Sequence, residues 1–193
     1  MMAEALSHKE RTRARILEEA AAAMRASGSE GISVAALMKR AGLTHGGFYA
    51  HFASRDDLVA HAIDRMFEDS RAMLARHLSE DDPAGGLVSL IDHYLSERAR
   101  TLPEKTCCLP SLAGEAHRLP AAARERFAAG IQRFQARIAE SIRALGRDEP
   151  EALAASIVAE MVGAMALARS IDGDSARLML TASRQRLKER LGI

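Results

Sequence analysis

Aromatic residues are scarce in this chain: no Trp, two Tyr and five Phe, 4% of 193 residues. Strands favour aromatic and β-branched side chains, so this scarcity argues against a β-sandwich or barrel, while the recurrence of Ala, Leu, Glu and Arg favours helix. Cysteine is nearly absent too. The two that occur, Cys107 and Cys108, are adjacent. They allow no long-range disulfide within one chain, and a vicinal bridge would be strained. A reducing, cytoplasmic setting is expected. Apolar runs are short, Ala20–Met24 being typical, so no transmembrane helix of roughly 18–20 apolar residues is expected. Residues 1–15 are charged and lack an apolar stretch, so no secretory leader is expected either. The motifs of common chemistries are also missing: no Gly-rich phosphate loop, no Gly-x-Ser-x-Gly elbow, no His-Glu-x-x-His helix. The carboxylates read as solvated helix faces, and an enzyme is not expected. Cys107, Cys108, Glu115 and His117 supply ligand types without a zinc spacing, and His61, His77 and His93 are scattered. No metal and no cofactor is expected.

What is present is a chain long enough for one large domain or two small ones around a sizeable core, with 48% hydrophobic residues. Net charge is only +1, but it is unevenly spread. Residues 1–55 hold eight Lys/Arg against five Asp/Glu, and the stretch from Gly31 to Arg55 has no acidic residue at all. It carries Lys39, Arg40, Arg55, His45 and His51. Composition alone leaves two readings open, a small basic face without function or a surface made to meet phosphate.

The apolar spacing reads as a string of amphipathic helices. The first spans about Ser7–Ser27, with Ile16, Leu17, Ala20 and Met24 on one face and Lys9, Arg11, Arg13 and Arg15 crowding its start. A short helix begins at the N-cap residue Ser33 and stops at Gly42. Thr44 caps the next, which carries Phe48, Tyr49 and Phe52. Ser54–Asp57 resembles a capping box and opens a long helix through Leu74. Pro83 restarts the chain for a helix running to about Thr101. The stretch from Pro103 to Pro120 is irregular, with a short helix expected around Ser111–His117. Phe127, Ile131, Phe134, Ile138, Ile142 and Leu145 then step along one face up to Gly146. The helix from Pro150 to Ile171 is apolar nearly all round, its charges being Glu151, Glu160 and Arg169, so it must be covered on both sides. The last helix spans Asp174–Leu191. Pairing of the last two helices with those of a second copy would cover the exposed side in a four-helix arrangement; burial of both sides within one chain is the alternative.

Two short helices joined by Ala41-Gly42-Leu43-Thr44 form a helix-turn-helix pattern, the second helix of which would enter the major groove among phosphates. The lack of acid there is what such a setting requires. From Thr12 through Leu58 the chain resembles the DNA-binding domain of TetR/AcrR-type bacterial transcriptional regulators. The resemblance is carried by Ser33-Val34, Leu37, Ala41-Gly42-Leu43-Thr44, Phe48-Tyr49, His51-Phe52, Ser54-Arg55-Asp56 and Leu58. It covers about the first third of the chain at motif level; the rest matches in length and helical layout.

The resemblance implies an all-α protein of about nine helices. A three-helix DNA-binding domain (1–53) would precede a helical ligand-binding and dimerisation domain (54–193). It implies a homodimer, usually a repressor, released from a palindromic double-stranded DNA operator by a small-molecule effector. Val34, Leu37, Ala41, Leu43, Phe48 and Phe52 look like the small domain's core. Ser33 and Thr44, at helix N-termini, can hold phosphate. Tyr49 and His51 match positions that touch the DNA backbone, and Arg55 looks like a phosphate clamp. His45 departs from the Lys common there, and Gly46-Gly47 opens the recognition helix at about 1 kcal/mol each relative to Ala. Either bare backbone approaches the groove closely, or the segment frays when free and orders on DNA. Base readout would then fall to His45 and to residues such as Lys39.

In the second domain the default is an apolar effector pocket. Candidate lining residues are Tyr94, Leu112, Phe127, Phe134, Met161 and Met165, with Cys107 and Cys108 in the irregular segment, though each also fits plain core. Cys107, with Leu112 and Glu115 downstream, resembles a branch of the family with Gly-Cys here, some members of which sense oxidants or electrophiles; Thr106 replaces the Gly. Switching by oxidation of these cysteines is therefore one alternative. A helical interaction protein without DNA binding is the other.

Overall fold

The computed structural model describes residues 7–31 and 33–193, so the expectation about a leader falls partly outside the described residues. These form nine α-helices and three 3-10 segments, with no strand. Helix α1 (His8–Ser27) opens in a capping box, the Ser7 hydroxyl accepting from the Glu10 N–H while the Glu10 carboxylate accepts from the Ser7 N–H at 2.7 Å. Helix α2 (Val34–Arg40) is capped by Ser33, whose hydroxyl accepts from the Ala36 N–H. The chain turns through Gly42 at φ 69°, a left-handed conformation that glycine adopts freely. Helix α3 (Arg55–His77) follows after the 3-10 segment His45–Ala50 and a four-residue connection. At its start the Ser54 hydroxyl accepts from the Asp57 N–H, but the short Asp57 side chain reaches the Ala53 N–H rather than that of Ser54.

The rest of the chain is α4 (Pro83–Tyr94), α5 (Glu97–Thr101), α6 (Leu109–Leu112), α7 (Ala121–Ala144), α8 (Pro150–Arg169) and α9 (Gly173–Leu191). Three expectations are corrected. The helix from Pro83 does not continue to Thr101, because Ser96 caps a separate α5 by accepting from the Ala99 N–H at 3.1 Å. No helix spans Ser111–His117: α6 lies earlier, with Pro110 in its first turn, and Ala116–Arg118 is a 3-10 turn. The recognition segment His45–Ala50 is also a 3-10 helix.

The small domain closes around Ile16, Leu17, Ala20 and Met24 of α1, Leu37 and Met38 of α2, and the rings of Phe48 and Phe52, all buried. The two rings stack at 5.7 Å, and Arg13 lies over Phe52 at 4.8 Å. Each ring contributes about 1.5–3 kcal/mol by burial. Helix α3 leaves this domain and packs along α7, which packs on α8 and then α9. Helix α8 is, by length and composition, long and apolar enough to cross a membrane, which corrects the reading from short apolar runs. Its apolar residues are interrupted by Ser156, Gly163 and the mid-helix charge Glu160, so no long uninterrupted run shows in a residue-by-residue scan. Only 39% of its most apolar window is buried within the chain.

Candidate nucleic-acid interface

The 3-10 segment turns one aromatic inward and one outward. Phe48 is buried, whereas Tyr49 is 68% exposed and meets Phe48 edge-on. Phe48 thus anchors the segment while the Tyr49 hydroxyl reaches solvent. Lys39 and His45 are exposed. Ser33 uses its hydroxyl on its own helix. Thr44 occupies the N-cap position of the segment but makes no side-chain cap bond, so its hydroxyl is available outward. Arg40 pairs with Glu19 at 2.8 Å. His51 is held at the end of the segment with its Nδ1 buried and without a hydrogen-bond partner among the described residues. Its pKa is lowered, first by burial and then by Lys9, Arg13 and His8. Those three side chains, at the start of α1, therefore lie within electrostatic reach of the recognition segment. Sequence reasoning had counted the basic start of α1 but not joined it to this face.

Arg55 bridges rather than projects. Its guanidinium donates to the Ser29 carbonyl at 2.6 Å and lies 3.8 Å from Glu30. It fastens the start of α3 to the loop after α1.

Gly46 and Gly47 are not required by the protein itself. A Cβ at Gly46 would meet nothing within 4 Å among the described residues, and at Gly47 only ordinary contacts. Neither has a positive φ. A glycine that internal packing does not need points to close approach from outside. Gly46→Ala should leave the urea midpoint unchanged or raise stability by up to about 1 kcal/mol. It should also weaken DNA binding in an anisotropy titration. Undiminished DNA affinity would remove the close-approach reading.

Residues 16–62 match the family model described as bacterial regulatory proteins, tetR family. These residues carry a tetR-family DNA-binding domain. Solved structures agree over nearly its whole length. A TetR-family regulator from Agrobacterium tumefaciens superposes with TM-score 0.80 at 21% identity, covering 95% of this chain and 98% of that one. One from Chloroflexus aurantiacus gives 0.79 at 25% identity, covering 95% and 96%. The reduced form of E. coli NemR gives 0.79 at 18%, covering 92% and 96%. No curated protein matches. The chain is a DNA-binding transcriptional regulator.

Behind this tetR-family domain, part-buried polar contacts that span long sequence distances tie it to the rest of the chain. Glu115 accepts the Ser29 N–H at 2.6 Å, so the loop after α1 is gripped by Glu115 on one side and Arg55 on the other. Ser111 donates to the Arg25 carbonyl at 2.7 Å in the last turn of α1. Arg169 of α8 donates to Ser111, to Thr106 and to the Ala99 carbonyl. Arg25 crosses to Asp69 of α3 at 2.7 Å. None of Glu115, Ser111, Arg25 or Arg169 stands out by local pattern.

The eight expected pocket residues do not line one cavity. All are buried. Tyr94, Cys107 and Met165 surround a small cavity of about 10 Å³ together with Thr106 and Arg169. Phe134 instead borders a larger cavity of about 490 Å³ between α3 and α7. Neither cavity is lined by Cys108, Leu112, Phe127 or Met161. The cysteines are both free thiols. Burial pushes the Cys107 thiol up, but hydrogen bonds from Cys108, the Leu109 backbone and Ser70 outweigh it and hold it down at about 6. Hydrogen bonding to Cys107 and burial push Cys108 up.

Proposed function

We propose that the chain represses transcription as a homodimer on a palindromic operator and lets go when a small molecule binds its second domain. The observation that carries this reading is the pairing of an outward, donor-rich reading face with long-range ties from that face's domain into the helices behind it. Lys39, Thr44, Tyr49 and His51 supply contacts to phosphate, His45 and the bare Gly46-Gly47 backbone lie against the groove, and Ser33 and Arg55 hold the frame. Residues 1–53 form the reading domain and residues 54–193 the sensing and dimerising one. Free, reduced cysteines suit a cytoplasmic protein.

The dimer is supported by α8 and α9. Leu167 on α8 and Leu178 on α9 are 58% and 71% exposed, and both lie on these two helices. Gly163, in the middle of α8, has open space where a Cβ would point. Partner helices laid against this surface would cover both leucines, and small residues let helices approach closely. The variant Leu167→Glu/Leu178→Glu should elute as a monomer by light scattering and lose operator binding, since two linked half-sites become two separate weak ones. A dimer that survives both changes would place the interface elsewhere. The whole reading is tested by selecting genomic fragments with the purified protein and adding small-molecule fractions. A single palindromic site, lost on addition of one fraction, is the expected result. Enrichment of no site would overturn it.

A second reading is supported by the Cys107 thiol, which is held partly ionised at neutral pH by its neighbours. A cleft of about 510 Å³ leads to it past Arg76 and Lys105. A thiolate attacks a peroxide oxygen, the O–O bond breaks, and hydroxide leaves and takes a proton from solvent to become water, the sulfur being left as sulfenic acid. Peroxide should then release wild type from DNA and leave Cys107→Ser bound. Equal release of Cys107→Ser would end this reading.

A further inference from the structure

The cavity between α3 and α7 has a chemistry of its own. Its floor is apolar: Phe67, Leu74 and Phe134 are buried side chains, and Gly130 contributes backbone alone. Its rim is charged, but most of those charges are already matched. Asp64 is paired with Arg126, Glu68 with Arg65 at 3.8 Å, and Arg137 with Glu140 and the Leu78 carbonyl. Two rim residues make no ion pair among the described residues, Arg71 on α3 and Arg133 on α7. They come from the two helices that wall the cavity. Arg65 is shared with Asp69 and Glu18, so Glu68 keeps charge of its own, but with Arg71, Arg133 and Arg137 against Asp64 and Glu68 the rim keeps an excess of positive charge above an oily floor.

We propose that this cavity binds an organic acid, a carboxylate or sulfonate carried on one or two aromatic rings, with Arg71 and Arg133 on the anionic group and the rings on Phe67, Leu74 and Phe134. Guanidinium groups match planar or tetrahedral oxyanions bidentately. A bare inorganic anion would leave the floor wet, and a neutral hydrocarbon would leave both arginines unmatched. The volume, about 490 Å³, falls in the usual range for such ligands. Helix α3 runs unbroken from this cavity to Arg55 at the edge of the reading domain, so an occupant that parts α3 from α7 acts on that domain. This regulatory role rests on the effector reading above; the binding chemistry does not.

The test uses the full chain and two dyes of similar shape, the anion 1-anilinonaphthalene-8-sulfonate and the neutral N-phenyl-1-naphthylamine. The anion should bind one per chain and at least about tenfold more tightly than the neutral dye. Arg71→Ala/Arg133→Ala should lose about that factor for the anion, keep its affinity for the neutral dye, and melt as wild type does, while Arg71→Lys/Arg133→Lys should recover part of the loss. Equal affinity for the two dyes, no binding of the anion, or anion binding indifferent to the double alanine change would overturn the site. Operator release by small-molecule fractions is measured separately. Release with arginine-independent dye binding overturns the site and keeps the effector reading. Arginine-dependent binding without release by any fraction keeps the site and overturns that reading.

Discussion

Raising salt from about 50 to about 200 mM should weaken operator binding about a thousandfold. The estimate follows from the cations on the reading face. Lys9, Arg13 and Lys39 lie at or near the recognition segment, and a second copy doubles them to about six phosphate contacts. Each contact releases about 0.9 counterion from duplex DNA, so log K should fall with log salt at a slope of about −5. Lys39→Ala should lower affinity on all sequences alike and flatten the slope by about 2, one contact per half-site. Anisotropy titrations of a labelled operator at four salt concentrations would measure both. A slope shallower than about −2 would mean that few of these cations meet phosphate, and the reading face would have to be redrawn.

The second large effect concerns stability. Gly130 of α7 lies under the ring of Phe67, and a Cβ there would come within 2.2–2.4 Å of three ring atoms. The ring is buried and meets Phe127 edge-on at 5.7 Å, so it can yield only toward the cavity that it and Gly130 line. Gly130→Ala would gain helix propensity of about 1 kcal/mol, yet the clash should dominate. Displacing the ring from its packing costs about 1–3 kcal/mol, a fall of about 3–10 °C in Tm for a chain of this size. Restoring the space with Phe67→Leu in the same chain should recover part of the loss. A melting temperature unchanged in Gly130→Ala would show that α3 and α7 can slide apart at little cost.

The helical layout was largely legible because it is written locally. Ile16, Leu17, Ala20 and Met24 mark a helix face by spacing alone, and so do Phe127, Ile131, Phe134 and Ile138. Gly42 and the capping residues Ser33 and Ser54 announce their boundaries. The outward turn of Tyr49 beside an inward Phe48 could be expected only through the family resemblance, since period and hydrophobicity allow either ring to be buried. Local signals failed where two weak ones competed. Ser96 interrupts an otherwise continuous apolar stripe, and Pro110 starts a turn in a stretch with no clear period. What the sequence could not yield were the contacts between distant segments: Glu115 on Ser29, Ser111 on Arg25, Gly130 beneath Phe67. These depend on tertiary packing, in which a Glu that grips a peptide looks like any solvated Glu. The candidate pocket suffered for the same reason. Large apolar residues at helical spacing identify what is buried, not where the packing leaves a gap.

The grip on Ser29 bears on how such regulators can be recombined. A hybrid that joins a foreign reading head at residue 53 or 54 would leave helix α3 whole on the retained side of the seam. It would still present Glu115, far downstream in the retained half, with a loop it was not shaped to hold. Such a hybrid could bind its operator and yet be deaf to its inducer. Exchange would succeed where the donor head supplies a free N–H at the position of Ser29 and an α1 end that meets Ser111 and Asp69, so compatibility between heads and bodies is set by these distant contacts rather than by the seam itself.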